Sequence, residues 1–201
     1  MADKKIYCIR HGTALHNDLW WTMQENAYQL YHDTPLTHKG WAEAELLGRN
    51  WEELPNIELI VTSPLMRTLS TTYGMLLGIP QPENKPKVIV YDGIKEHPQS
   101  EEWCNLRSCK TVIAERFHEF DFSNISEFDT EWCRQRRSPE HEMNLLKIRI
   151  EHFNSWLKRR PEKKIAVVSH SSFLGQMMYN KIGDERNELK HCYPYEYKLS
   201  I

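Results

Sequence analysis

At 201 residues the chain has the length of one compact domain whose core needs neither a disulfide nor a metal, and 40% hydrophobic with 27% charged residues excludes a disordered polymer. The 26 basic and 28 acidic side chains leave a formal net charge of -2, so no bulk positive field draws nucleic acid or anionic lipid. Five scattered cysteines read as free thiols of a reducing compartment, and with no signal-like or membrane-length apolar run a cytoplasmic location is expected.

In chain order, Lys5 to Cys8 is a short apolar run that stops at Arg10, His11 and Gly12, the pattern of a buried strand ending in a polar loop. Asn17 to Tyr31, rich in Trp and Tyr, reads as a turn or two of helix followed by loop. Asp33-Thr34-Pro35 signals a turn, and Thr37 is placed to cap a helix running to about Leu54, with Trp41, Ala44, Leu47 and Trp51 on one face. Ile57 to Val61 follows as a strand, then Pro64 at the start of a helix carrying Leu65, Leu69, Tyr73 and Leu76. A proline-rich loop at 80–86 leads to a strand at Lys87 to Tyr91. Residues 97–137 lose periodicity and are expected to form a lid or cap within a single domain spanning 1–201. A helix resumes at Pro139 and ends at Pro161, a strand covers Ile165 to Val168, and Phe173 to Tyr179 opens another helix. These alternations predict a three-layer α/β/α sandwich on a mostly parallel sheet.

In open α/β sheets ligands bind beyond the carboxyl ends of the strands. Arg10-His11, Thr62-Ser63 and Ser169-His170 each directly follow a predicted strand, and Glu96 follows the fourth by a few residues. Two histidines, a carboxylate and arginines on one rim suit phosphoryl transfer. Arg10 and Arg67 are candidates to hold the peripheral oxygens, whose charge shifts in the transition state. A neutral imidazole such as His11 is a competent nucleophile toward phosphorus, provided its other nitrogen is tied to a carbonyl. Glu96 is the candidate acid for the leaving oxygen and the base for the incoming water. Cys104 and Cys109 with His97 or His118 lack the repeated close pairs of a zinc site, and no metal or other cofactor is expected.

These residues resemble the histidine phosphatase superfamily, which includes the cofactor-dependent phosphoglycerate mutases. The resemblance rests on Arg10-His11-Gly12, Asn17, Asp33-Thr34-Pro35-Leu36-Thr37 with Gly40, Thr62 to Thr68, Glu96 after Ile94-Lys95, and Val168-Ser169-His170, all in family order. It implies that His11 becomes phosphorylated, that Arg10, Arg67, His170 and Asn17 line the phosphate pocket, that Glu96 donates the proton, and that no metal is needed. The chain departs from the family where Thr13 and Ala14 stand in place of an acidic or amide residue and a threonine.

The chain also lacks the Arg-His-Tyr-Gly run that follows the acid in the mutases, reading His97-Pro98-Gln99-Ser100 instead. A phosphatase acting on a small phosphorylated metabolite is therefore expected, with mutase-type transfer and a non-catalytic phosphoryl-binding protein as alternatives. Arg107, Arg134, Arg136 and Arg137 lie in or beside the expected lid, and one of them, with Arg107 the first candidate, is expected to meet a second anionic group, which favours a carboxylated ester such as phosphoserine. The aromatics at 17–31 and in the lid leave a ring-bearing ester open.

Overall fold

The computed structural model describes residues 4–79, 85–182 and 188–199. Its sheet has the order β3-β2-β4-β1-β5, in which β1 (Lys5–Arg10), β4 (Lys164–Ser169), β2 (Leu59–Thr62) and β3 (Lys87–Val90) run parallel. On the other side of β1, β5 (Pro194–Tyr197) lies antiparallel at the edge. Parallel strands are covered on both faces and so read as unbroken apolar runs, which is why the first four are visible in the sequence.

Alternation along the strands sorts the core into two halves. Tyr7 and Ile9 of β1, with Ala166 and Val168 of β4, join a cluster that includes Leu47, Leu69 and Met75 from α3 (His38–Asn50) and α4 (Met66–Leu76). Ile6, Cys8, Ile165 and Val167 face the opposite cluster with Leu146, Phe153 and Phe173 of α6 (Pro139–Arg159) and α7 (Ser171–Tyr179). The layers are thus helices, sheet and helices, as the sequence predicts.

Local chemistry sets the helix ends. Thr37 Oγ1 accepts from the Gly40 N–H, and Ser138 Oγ accepts from the His141 N–H with Pro139 in the first turn of α6. The third helix ends at Asn50 instead of near Leu54, because Leu54-Pro55-Asn56 forms a separate 3₁₀ turn. Residues 15–29 hold more helix than expected, as α1 (Leu15–Met23) and α2 (Asn26–Gln29).

The expectation for 97–137 needs the largest correction. Its middle is not a cap: α5 (Lys110–Arg116) and Phe117, Phe120, Phe122 and Ile125 pack into the core beside α4. Asp121 exchanges backbone hydrogen bonds with Val88 and Val90 at the edge of β3. Only the flanks of this segment reach the rim where the polar residues gather. Of the proline-rich loop expected at 80–86, residues 80–84 lie outside the described residues.

The loop after β1 is pressed against the start of α3. A Cβ on Gly40 would stand 2.1 Å from the Thr13 carbonyl oxygen, and one on Gly12 would stand 2.5 Å from the Gly40 oxygen. Neither backbone can move alone, because Thr37 N–H and Oγ1 both donate to the Thr13 carbonyl. We expect Gly40→Ala to cost about 3 kcal/mol in chemical denaturation, at the upper end of overpacking penalties. A cost below about 0.5 kcal/mol, within the range of ordinary surface changes, would show that the contact yields freely.

Candidate active site

The parallel strands deliver the polar residues to one rim. Arg10 pairs with Ser169 at the ends of β1 and β4, the His11 N–H donates to the Ser169 carbonyl, and the Ser63 N–H donates to the Val168 carbonyl. His11 and His170 therefore face each other, with ring centroids 5.2 Å apart and almost no solvent exposure.

His11 has a defined tautomer. Its Nδ1 lies 2.8 Å from the Gly12 carbonyl oxygen, which can only accept, so Nδ1 carries the proton and Nε2 keeps a lone pair. Burial, and then the charges of Arg67 and the neighbouring rings, hold the pKa of His11 well below the usual imidazole range. The ring is neutral at physiological pH.

Arg67, in the first turn of α4, is buried and spans several elements. Its Nε donates to His170 Nδ1 at 3.3 Å, Nη1 to the Cys104 carbonyl at 2.6 Å and Nη2 to Asn105 Oδ1 at 2.8 Å. His170 must then carry its proton on Nε2, which donates to Ser63 Oγ at 2.8 Å. Arg10 donates through Nη1 to Glu188 Oε2 and the Leu189 carbonyl, both at 2.9 Å. Its Nε is buried and has no partner among the described residues, an unsatisfied donor of the kind that an anion would complete.

Glu96 sits at the N-terminus of α7, where its carboxylate accepts from the Ser172, Phe173 and His97 N–H groups. Burial raises its pKa, opposed by the His97 N–H and then by Arg67. The segment is held from beneath: Arg149 of α6 donates to the Lys95 and Glu96 carbonyls at 2.7 and 3.2 Å, and Ser169 Oγ donates to the Ile94 carbonyl. Asn17 uses its Oδ1 to accept from the Ala14 N–H at the start of α1.

Arg107 is not brought to this cluster. Its side chain is fully buried and ion-paired with Asp92 at 2.8 Å, while Nη1 and Nη2 donate to the carbonyls of Ser108, Ser126, Glu127 and Phe128. A guanidinium with its donors committed this way ties a loop together and has none to offer a substrate carboxylate. We expect Arg107→Ala to lower unfolding stability by about 3 kcal/mol, the usual result of stripping one partner from a buried pair. Unchanged urea unfolding, with a selectively raised Michaelis constant for carboxylated esters, would restore the recognition role.

Several contributors escaped the sequence reading. His191 donates through Nδ1 to the His11 carbonyl, stands 5.6 Å from the His11 ring, and has its pKa lowered to about 4 by burial and then by Arg10. His16 lies 6.1 Å from His11 and bonds Thr34. Asp33 accepts from the Met66 and Ser108 N–H groups, both at 2.8 Å, capping the helix that carries Arg67. Asp33 was visible only as part of a turn, and Arg149 had a signal of its own: a charge set among Leu146, Ile150 and Phe153 on the buried stripe of a helix.

Among the described residues no three His, Cys, Asp or Glu side chains are grouped to hold a metal ion, and no helix is long and apolar enough to cross a membrane.

Comparison with known proteins bears on the family and the fold. The model of the histidine phosphatase superfamily (branch 1) matches residues 6–197. The chain is 30% identical over 223 residues to phosphoglycerate mutase-like protein 1 of Arabidopsis thaliana, covering 95% of this chain and 74% of that protein. It is 29% identical over 173 residues to a probable phosphatase of Schizosaccharomyces pombe, covering 84% and 74%. Among solved structures, the ecdysone phosphate phosphatase of Bombix mori in complex with tungstate superposes with a TM-score of 0.63 at 16% identity, over 96% of this chain and 88% of that one. At that identity the likeness concerns the fold.

Proposed function

The chain belongs to the histidine phosphatase superfamily, and from that premise we propose that it is a metal-independent phosphatase that hydrolyses a phosphate monoester through phosphohistidine at His11. The observation that carries this reading is the His11 ring itself, neutral, with Nδ1–H fixed on the Gly12 carbonyl and the Nε2 lone pair left for attack.

In the proposed cycle Nε2 attacks phosphorus and the bond to the ester oxygen breaks. Arg10 and Arg67 offset charge on the peripheral oxygens, with the Asn17 amide as a further donor and His170 holding Arg67 in place through its Nδ1. Protonated Glu96 gives its proton to the departing alkoxide. The resulting carboxylate then takes a proton from water as that water attacks the phosphohistidine, which releases inorganic phosphate and restores both groups.

Buried and paired with Asp92, Arg107 lends no support to a carboxylated ester such as phosphoserine. The names of the plant relatives favour a second reading, phosphoglycerate mutase-type transfer, in which phosphate passes to an acceptor instead of water. The deciding experiment measures inorganic phosphate released in EDTA from p-nitrophenyl phosphate, phosphoserine, phosphotyrosine, sugar phosphates and 3-phosphoglycerate. Release from at least one ester is expected. Isomerisation of 3-phosphoglycerate without release would favour the mutase, and folded protein inert toward every ester would favour a phosphoryl-binding role.

A further inference from the structure

A groove of about 350 Å³ opens beside the catalytic cluster, and Trp20, Tyr28, His97 and Glu102 are among its lining residues. It adjoins the site through neighbouring residues. His97 follows Glu96 in the chain, and the ring of Tyr28 lies 5.2 Å from that of His16, which in turn lies 6.1 Å from His11. Trp20 and Tyr28 are themselves 5.2 Å apart at an angle of 53°, both partly exposed. A half-open pair of tilted rings beside a reaction centre offers faces and edges to another ring.

The charges in this groove argue against a second anion. Arg137 is committed to Glu142 and to the Gln99 and Glu131 carbonyls, and Arg136, which is mostly exposed, approaches Glu101 at 3.6 Å. Two further carboxyl groups, Glu25 and Glu102, line the groove, so acids outnumber the cations. Glu102 is itself kept largely protonated near neutral pH, its pKa pushed up to about 8 by burial and then by Glu96. A substrate carboxylate or second phosphate placed here would meet more negative than positive charge.

We propose, building on the hydrolase reading above, that the leaving group is a ring-bearing alcohol without a second negative charge, seated against Trp20 and Tyr28. This assigns a substrate class that the phosphate pocket alone leaves open.

Binding separates this inference from hydrolysis. Calorimetry with the whole chain would compare benzylphosphonate, n-butylphosphonate and 4-carboxybenzylphosphonate, which share a phosphate-like head and cannot be hydrolysed. Benzylphosphonate is expected to bind about tenfold tighter than the butyl compound, the scale of one favourable ring contact, and the added carboxylate is expected to remove that gain. The benzyl-to-butyl ratio should fall to near one in Trp20→Ala and persist in Trp21→Ala, whose side chain is solvent-facing and outside the groove. Equal benzyl and butyl affinities in the unaltered protein, tighter binding of the carboxylated compound, or a ratio that survives Trp20→Ala would each overturn the assignment. Should Trp20→Ala fail to fold, the series on the unaltered protein decides alone. Phosphate release from benzyl phosphate, measured separately, tests the hydrolase: selective binding without release would sink that reading and leave the groove standing.

Discussion

Replacing His11 with alanine is expected to lower phosphate release by a factor on the order of 10^4 or more, the scale on which loss of a covalent nucleophile acts. The loss should fall on turnover and not on folding. Among the described residues the His11 side chain makes one hydrogen bond, to the adjacent Gly12 carbonyl, while its backbone pairing with Ser169 is untouched by the change. Rapid-quench labelling supplies the direct test. The unaltered protein should trap a phosphoenzyme that is labile in acid and stable in alkali, as a phosphorus–nitrogen bond requires, and His11→Ala should trap none. A variant that keeps a tenth of the rate, or a label stable in acid, would remove His11 as the nucleophile. The experiment also separates His11 from His170, because the proton on His170 Nε2 and the Arg67 donation to its Nδ1 leave that ring with no free lone pair.

What the sequence made legible follows from how each element is buried. Four strands are covered on both faces and appear as apolar runs, and the rule that parallel strands present their carboxyl ends together was enough to gather Arg10, His11, Ser63, Glu96 and His170 on one rim. The fifth strand, Pro194–Tyr197, begins with proline, has mixed exposure and pairs on one side only, so neither apolar content nor alternation marked it. Residues 110–125 were misread because Phe117, Phe120 and Phe122 are spaced too irregularly for one helix face. Their burial comes from a turn and an edge contact with β3 that no local pattern encodes. Arg107 shows the limit for charged side chains. Its position in the chain was compatible with a ligand contact, but the direction of its guanidinium depends on Asp92 and on a loop of carbonyls some twenty residues away. His191 had no signal at all: a histidine 180 positions from its partner, placed by its Nδ1 bond to the His11 carbonyl.

Glu96→Gln is expected to lower kcat/KM for alkyl phosphates by a factor on the order of 10^2 to 10^3 and to affect p-nitrophenyl phosphate far less, since an aryl oxide leaves with little protonation. The pH dependence carries the sharper form of this claim. Burial places the Glu96 pKa above its ordinary value, so the acid form is present at low pH and is lost as pH rises through the raised value. His11, with its pKa held well below the usual imidazole range by burial and then by Arg67, is already neutral at neutral pH and contributes no opposing limb as pH rises from there. Ionisation of the substrate phosphate is common to both ester types, so the alkyl-to-aryl ratio of kcat/KM isolates the acid. In the unaltered protein that ratio should fall as pH rises, and in Glu96→Gln it should be flat. Linkage adds a constraint with the opposite sign from a structural role. A carboxyl whose folded pKa is raised favours folding below its unfolded pKa and loses that contribution as pH rises through the folded one, so ionised Glu96 is a burden to the fold at neutral pH. The variant should therefore melt no lower than the unaltered protein at pH 7, because glutamine can still accept through one oxygen from the Phe173 N–H. Large loss of alkyl turnover with preserved stability is the signature of a proton donor. Equal losses on both esters together with a lowered melting temperature would make Glu96 a cap for α7 and return the source of the proton to the open residues of the groove.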